Sequence, residues 1–321
     1  MSEPNAPVDV LFIVGSGRSG STLLDRLLGR SPEVFSAGEV RRLWAGLEDG
    51  RRCSCGEDVT RCALWRSVLE RAFGGVENVP RGLARAQRRV ESGLFLPFML
   101  LPVKPKALQR DLDALRDAYA RLYAAIAAVT GAKAVVDSSK TPARGILVAS
   151  LPGVRLRAVH IVRDCRAVAF SWLRGVASGH RMARHSSLRS AWWSWRSNLG
   201  AAFMRPFAAD YVSVRYEDLA ARPRETLRSI TDRLSLAPAE LVSEDTAELV
   251  DDHLLGGNPM RFHSGATRIA EDDEWKEKMS RRDILAVTLL TWPLLLKFRY
   301  PLLPAQRRAA AARESEAPPT P

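Results

Sequence analysis

The twenty residues VLFIVGSGRSGSTLLDRLLG, Val10 to Gly29, constrain the fold more than any other part of the chain. An apolar run from Val10 to Val14 breaks into a turn carrying Gly15, Gly17 and Gly20, then into a leucine-rich helical pattern. A buried strand entering a helix through a glycine-rich turn presents backbone N–H groups and a positive helix end, which together bind an anion. From Gly15 the octet GSGRSGST approaches the nucleotide-binding pattern G-x-x-x-x-G-K-[ST]. Ser21 stands at the lysine position and Arg18 lies inside the loop. Ser19, Ser21 and Thr22 add hydroxyl donors and Arg18 a planar fork. The loop reads as a site for a phosphate-like group. Loss of the lysine that reaches terminal phosphates argues against a nucleoside triphosphatase.

Further strand-like runs occur at Val34–Ser36, Ala132–Val136, Leu156–Val162 and Tyr211–Val214, after the first at Val8–Val14. Helical patterns separate them. This alternation predicts an α/β fold: a P-loop-like three-layer α/β/α arrangement with a central parallel sheet. The long interval of about 43–130 reads as a helical insertion covering the sheet edge, with helices near Ala63–Arg71 and Leu108–Val129. A second helical block spans Ser186 to Phe207 and contains WWSW at 192–195, read as packing aromatics that could also line a cleft. Leu94–Leu101 and Ile284–Leu296 are apolar but shorter than the ~20 residues that span a bilayer. The second is expected to be a buried helix. The polar N-terminus lacks a signal-peptide pattern, so a cytoplasmic protein without an integral membrane span is expected. The tail 304–321 is rich in Pro and Ala and is expected to be disordered.

The net charge of +12 suits a polyanionic ligand. The basic residues are scattered, without a helix-turn-helix, finger or aromatic-basic motif, so nucleic acid is not expected as a partner. Four cysteines are too few for a disulfide scaffold. Three cluster as CSCGEDVTRC, Cys53, Cys55 and Cys62. No neighbouring histidine supplies a fourth ligand, so the cluster reads as packed or redox-sensitive, with no metal site expected.

Parallel strands deliver their C-terminal ends to one edge, where ligands bind. Four segments therefore converge there, bringing Arg18 with its serines, Glu39 after the second strand, Lys140 after the third and Arg163 after the fourth. Ser171 lies on the helix that begins near Asp164, where it and Arg163 could meet one anion. Asp137, in AVVD at 134–137, resembles a magnesium-holding strand end, which keeps a P-loop kinase or NTPase as an alternative.

The ordered set resembles the sulfotransferases that use 3′-phosphoadenosine 5′-phosphosulfate (PAPS). GSGRSGSTLL, 15–24, resembles that family's 5′-phosphosulfate loop, which implies donor contacts from Arg18, Ser19, Gly20, Ser21, Thr22 and Leu23. VRDCRAVAFSWLR, 162–174, resembles its 3′-phosphate motif, with Arg163 and Ser171 at the matching places. The arrangement is most similar to bacterial members and to the tyrosylprotein and carbohydrate sulfotransferase-like branch. There the Glu of a Gly-Glu pair acts as base, here Glu39, and a lysine after the next strand is catalytic, here Lys140, with Arg18 beside them. YVSVRYEDLAARPRETLRSI, 211–230, resembles the Y-E-x-L-x-x-x-P segment, whose tyrosine, here Tyr216, contacts the donor. The C-terminal loop, 256–279, matches poorly; Arg268 is taken as its donor contact, with Arg261 as the other choice. The Cys53-to-Trp65 cluster also resembles many bacterial members. The resemblance implies a sulfotransferase domain over 1–303, PAPS as donor co-substrate, no metal, and a hydroxyl acceptor on a carbohydrate, natural product or tyrosine. A non-catalytic anion-binding protein of the same fold is the remaining alternative.

Overall fold

The computed structural model describes residues 7–92, 104–177, 180–181, 183–250 and 252–303. The apolar run Leu94–Leu101 and the tail from Pro304 lie outside them. Five parallel strands form the central sheet: β1 (Val8–Gly15), β2 (Val34–Ser36), β3 (Ala134–Lys140), β4 (Val154–Val162) and β7 (Asp210–Arg215), in the order β2-β3-β1-β4-β7. Two antiparallel ribbons stand apart, β5 (Val176–Ala177) with β6 (His180–Arg181) and β8 (Thr246–Leu249) with β9 (Gly265–Arg268).

The helices are α1 (Ser21–Leu28), α2 (Leu43–Asp49), α3 (Ala63–Phe73), α4 (Leu83–Val90), α5 (Lys106–Thr130) and α6 (Pro142–Ala149). They continue with α7 (Cys165–Arg174), α8 (Ser187–Met204), α9 (Tyr216–Ala221), α10 (Pro223–Arg233), α11 (Trp275–Lys278) and α12 (Arg281–Lys297).

The continuous apolar run of β1 follows from burial on both faces. Val10, Phe12 and Val14 join one core cluster with Leu115, Tyr119 and Ile126 of α5. Leu11 and Ile13 join the other with Leu24 and Leu27 of α1 and Leu227 and Ile230 of α10. The expected α/β layering with a central parallel sheet is thus present.

Three features differ from the sequence expectations. The insertion covers a face of the sheet rather than its edge: Trp44, Trp65 and Leu69 share the cluster of Val10 and Phe12. The third strand runs on to Lys140, because its polar end Asp137-Ser138-Ser139 is buried and internally hydrogen-bonded. The helix expected to be buried at Ile284–Leu296 is two-sided. Val287, Leu294 and Leu295 are buried, whereas Leu285, Leu289 and Trp292 are at least half exposed. No described helix is long and apolar enough to cross a membrane.

Candidate active site

The strand order reverses beside β1, and the turn after β1 opens at that point, where open α/β sheets bind ligands. Arg18 takes a left-handed backbone, φ 73, and Gly20 follows at φ 86 as the residue before α1. A Cβ on Gly20 would come within 2.5 Å of the Tyr216 ring, so only glycine lets the loop lie against that tyrosine. No side chain caps the start of α1. Among the described residues, the buried hydroxyls of Ser16 and Ser19 have no hydrogen-bond partner. A loop of unpartnered donors at a helix start fits an anionic group.

One cavity is lined by Arg18, Gly20, Ser21, Thr22 and Leu23 of this loop together with Glu39, Arg42 and Lys140. Its far wall is Gly257, Asn258 and Met260, with Trp172 alongside. Thr22 Oγ1 accepts from the Asn258 N–H at 3.1 Å, joining the wall to the loop. A second cavity shares Gly17, Glu39, Arg42, Lys140 and Trp172 with the first. It continues past Ser139, His185, Trp193 and Arg196. Trp193 of the WWSW run therefore faces a cleft, while Trp195 donates its ring N–H to Leu290 O at 2.7 Å and packs on α12.

Glu39 and Lys140 form the seam. Lys140 Nζ donates to Glu39 Oε1 at 2.6 Å and to Ser138 O at 2.9 Å. Arg42 Nε donates to Glu39 Oε2 at 3.0 Å. Burial pushes the Glu39 carboxyl up, but Lys140 and Arg42 outweigh it and bring it down to about 2. Lys140 reaches this position through a left-handed backbone, φ 68, which is uncommon for a lysine and turns its side chain toward Glu39.

Arg163 sits beneath the loop. Its guanidinium donates to Arg18 O at 3.1 Å and Asp272 O at 2.8 Å, meets the Asp272 carboxylate at 3.2 Å, and stacks 4.3 Å from the Tyr216 ring centroid. The Tyr216 hydroxyl donates to Ala270 O at 3.3 Å. Arg18 lies 5.4 Å from the Trp172 ring centroid. Burial, then Arg174 and Arg163, lower its pKa, as expected in a cluster of like charges.

Of the residues singled out from sequence, Arg18, Gly20, Ser21, Thr22, Leu23, Glu39 and Lys140 line one cavity. Ser19 is buried in the loop behind them, and Arg163 and Tyr216 brace it from below. Ser171 is buried on α7 and lines neither cavity. Arg268 is not brought to the site: it lies on β9, its side chain 79% exposed and paired with Asp245 at 2.8 Å. Arg261 lies nearer, donating to Gly257 O at 3.0 Å, with its pKa lowered by burial and raised by Glu39. His160 is buried between Asn198 Oδ1 at 3.1 Å and the Tyr211 hydroxyl at 2.8 Å, and burial draws it down to about 4.

Asp137 does not face the cavity. It is fully buried and accepts from the Tyr123 hydroxyl at 2.6 Å, the Ser139 N–H at 2.9 Å and Arg144 Nε at 3.3 Å. Its oxygens are taken by protein donors, which leaves a magnesium ion little to bind.

Sequence reasoning missed Arg26. It is fully buried on α1 and donates to Asp252, Val250 O, Met260 O and His263 O at 2.7–3.0 Å. Its signal was an Asp-Arg pair inside an otherwise leucine-rich helix. Also missed was His253, which completes the cysteine cluster from 191 residues beyond Cys62.

An open α/β sheet with an anion loop at its switch point, and an acid–lysine pair beside it, is the arrangement of a group-transfer enzyme. The chain matches the sulfotransferase family over residues 10–240 and belongs to it. Solved structures of similar fold include the sulfotransferase domain of the olefin synthase of Synechococcus PCC 7002. It is 22% identical with a TM-score of 0.52, over 94% of this chain and 98% of that one. The sulfotransferase domain from the curacin biosynthetic pathway is also similar, at 19% identity and a TM-score of 0.56, over 93% of this chain and all of that one. No curated protein sequence matches this chain.

Proposed function

We propose that the protein transfers the sulfuryl group of PAPS to a hydroxyl acceptor, with Glu39 as general base and Lys140 and Arg18 as charge-stabilising groups. The observation that carries this reading is the Lys140–Glu39 pair at 2.6 Å, set on the wall shared by two cavities. The donor occupies the cavity of the glycine-rich loop, and the acceptor enters beside Trp172, His185 and Trp193, whose flat faces suit a ring-bearing molecule.

The donor supplies an activated sulfuryl group and a good leaving group, so positioning and charge dominate what the protein must do. Loop N–H groups with Ser21 and Thr22 hold the 5′-phosphate. Arg163, braced by Tyr216, holds the 3′-phosphate, with Ser171 behind it. With a pKa of about 2, Glu39 is a poor base while both cations hold it. When the Lys140 ammonium turns from Glu39 toward the sulfuryl oxygens, the carboxylate regains basicity as it meets the acceptor proton. One movement thus readies both groups. A kinase reading is disfavoured by the saturated Asp137.

Calorimetric titration with adenosine 3′,5′-bisphosphate should give micromolar binding, with Mg–ATP weak and indifferent to the metal. In turnover assays with labelled PAPS and an acceptor panel, Glu39→Gln should lose about 10² to 10⁴-fold in kcat and keep bisphosphate binding. Arg163→Ala should weaken PAPS more than adenosine 5′-phosphosulfate. Unchanged turnover in Glu39→Gln removes it from the base role. Binding of Mg–ATP alone replaces the reading with phosphoryl transfer, and bisphosphate binding without turnover on any acceptor favours a non-catalytic binder.

A further inference from the structure

We propose that Cys53, Cys55, Cys62 and His253 form a closed, structural zinc site that ties the wall of the donor cavity to the backbone of Glu39. The four ligand atoms all lie within 4.8 Å of one another. Cys62 Sγ is 3.2 Å and Cys53 Sγ 3.7 Å from His253 Nδ1, and Cys55 Sγ is 3.7 Å from Cys62 Sγ. A tetrahedral zinc ion with its usual Zn–S and Zn–N bond lengths sets its ligand atoms about 3.6–3.8 Å apart. Two of these contacts already have that spacing, one is shorter, and every other pair lies within about an ångström of it.

The ligand set selects the metal. Three thiolates and an imidazole suit zinc and exclude magnesium or calcium, which take oxygen. Four protein ligands leave no open position, so the site is structural rather than catalytic. On binding, the three thiols release their protons to solvent and the sulfur lone pairs form the metal bonds; no oxidant or reductant is needed. Zinc with three thiolates carries a net charge of −1. The adjoining cleft is lined by Arg42, Arg51, Arg52 and Arg261, a surrounding of opposite sign.

The backbone is arranged for it. Cys53 N–H donates to Glu57 O at 2.9 Å and Gly56 N–H to Cys53 O at 3.0 Å, closing a tight turn that presents Cys53 and Cys55 together. Gly56 has φ 90, which that turn requires. Cys62 immediately precedes α3, whose first turn fixes where its side chain starts. His253 arrives on the other segment. The Trp65 ring N–H donates to His253 O at 2.9 Å, and the Leu254 N–H donates to Ser54 Oγ at 2.7 Å. Cys53 also pairs with Leu255 in an antiparallel bridge.

Leu255 is the link to the active site. It bridges Gly38 on its other side, and its carbonyl accepts the Glu39 N–H at 2.5 Å. Gly257 and Asn258, which follow it, form the cavity wall. The zinc ligands are therefore positioning residues, acting through Leu255 on Glu39. A Cys55–Cys62 disulfide is the competing chemistry, but all four cysteines are free and these two sulfurs stand well beyond bonding distance.

The test uses the full chain, purified without a metal-affinity step or chelator. Elemental analysis by mass spectrometry should find one zinc per chain, released on titration with a mercurial thiol reagent. Cobalt added to apoprotein should give the intense visible bands of tetrahedral, thiolate-bound Co(II). Cys55→Ser and His253→Asn should each lose stoichiometric zinc, whereas Cys165→Ser, outside the cluster, should keep it. Zinc removal should speed amide exchange at Glu39 and Leu254–Gly257 by tenfold or more while leaving β1 protected. The proposal is overturned if wild-type chain holds no zinc and gives no tetrahedral cobalt spectrum. A Cys55–Cys62 disulfide in peptide mass maps of chain isolated without oxidant, or full zinc occupancy in both ligand variants, overturns it equally.

Discussion

Glu39 is poised by a balance that single residues can tip. Lys140 and Arg42 favour its ionised form more than burial opposes it. Asp25, one helix away, has the opposite balance. It is fully buried, and desolvation raises its carboxyl to about 7 despite hydrogen bonds from Ser138 and Ser36, with Asp252 and Asp137 adding to the rise. A raised carboxyl binds its proton more tightly in the folded than in the unfolded chain. Its contribution to stability is therefore full below the ordinary value of 3.8 and is lost as pH rises through about 7. Asp25→Asn is expected to gain on the parent chain by about 2–3 kcal/mol between pH 5 and pH 8. Denaturant titrations of both chains at the two pH values measure this, and parallel pH dependences would refute it. At this scale the sequence was informative where chemistry breaks a pattern at a strand end, as with Arg18, Glu39 and Lys140. It was silent on His253 and chose Arg268 where Arg261 lies nearer the site, because spacing along the chain says nothing about which distant loop folds against which.

The elements that sequence patterning located best are the buried ones. β1 reads as an unbroken apolar run from Val10 to Val14 because both faces of a parallel sheet are covered. The end of β3 went unread because Asp137, Ser138 and Ser139 look like a loop until Tyr123 and Arg144 are seen to meet Asp137. The exposure of α12 was hidden for a related reason: a run of leucines on all sides carries no periodicity that separates an inner from an outer face. α1 combines both lessons, since its leucines face the sheet while Arg26 reaches the 250–263 segment. Arg26→Met keeps the length and removes every donor, stranding buried carbonyls and Asp252. Loss of about 2–4 kcal/mol of unfolding free energy is expected. Amide exchange should rise across 252–263 before it rises in β1. A change below about 0.5 kcal/mol would mean that α1 does not hold this segment.

Across the whole molecule, residues 252–272 return both to the start of α1 and to the start of α7. The segment carrying Asp272 lies on the Arg163 and Arg174 cluster, at 3.2 Å and 3.7 Å, where under the proposed function its carboxylate would compete with the donor's 3′-phosphate. Asp272→Asn should tighten adenosine 3′,5′-bisphosphate by about 3–10-fold, from weakened competition for a charged partner. Calorimetry at constant ionic strength tests it; weaker binding would assign Asp272 to holding Arg163 in place instead.

The reach of Arg26 also sets a clock on biosynthesis. Its most distant acceptor, His263 O, lies 237 residues further along the chain. At about 5–20 residues per second, a ribosome needs roughly ten to fifty seconds to add that stretch. Until then the guanidinium of α1 has no acceptors from that segment and must stay hydrated. The first strand and helix emerge early, yet their docking can be completed only once the chain has been extended to His263.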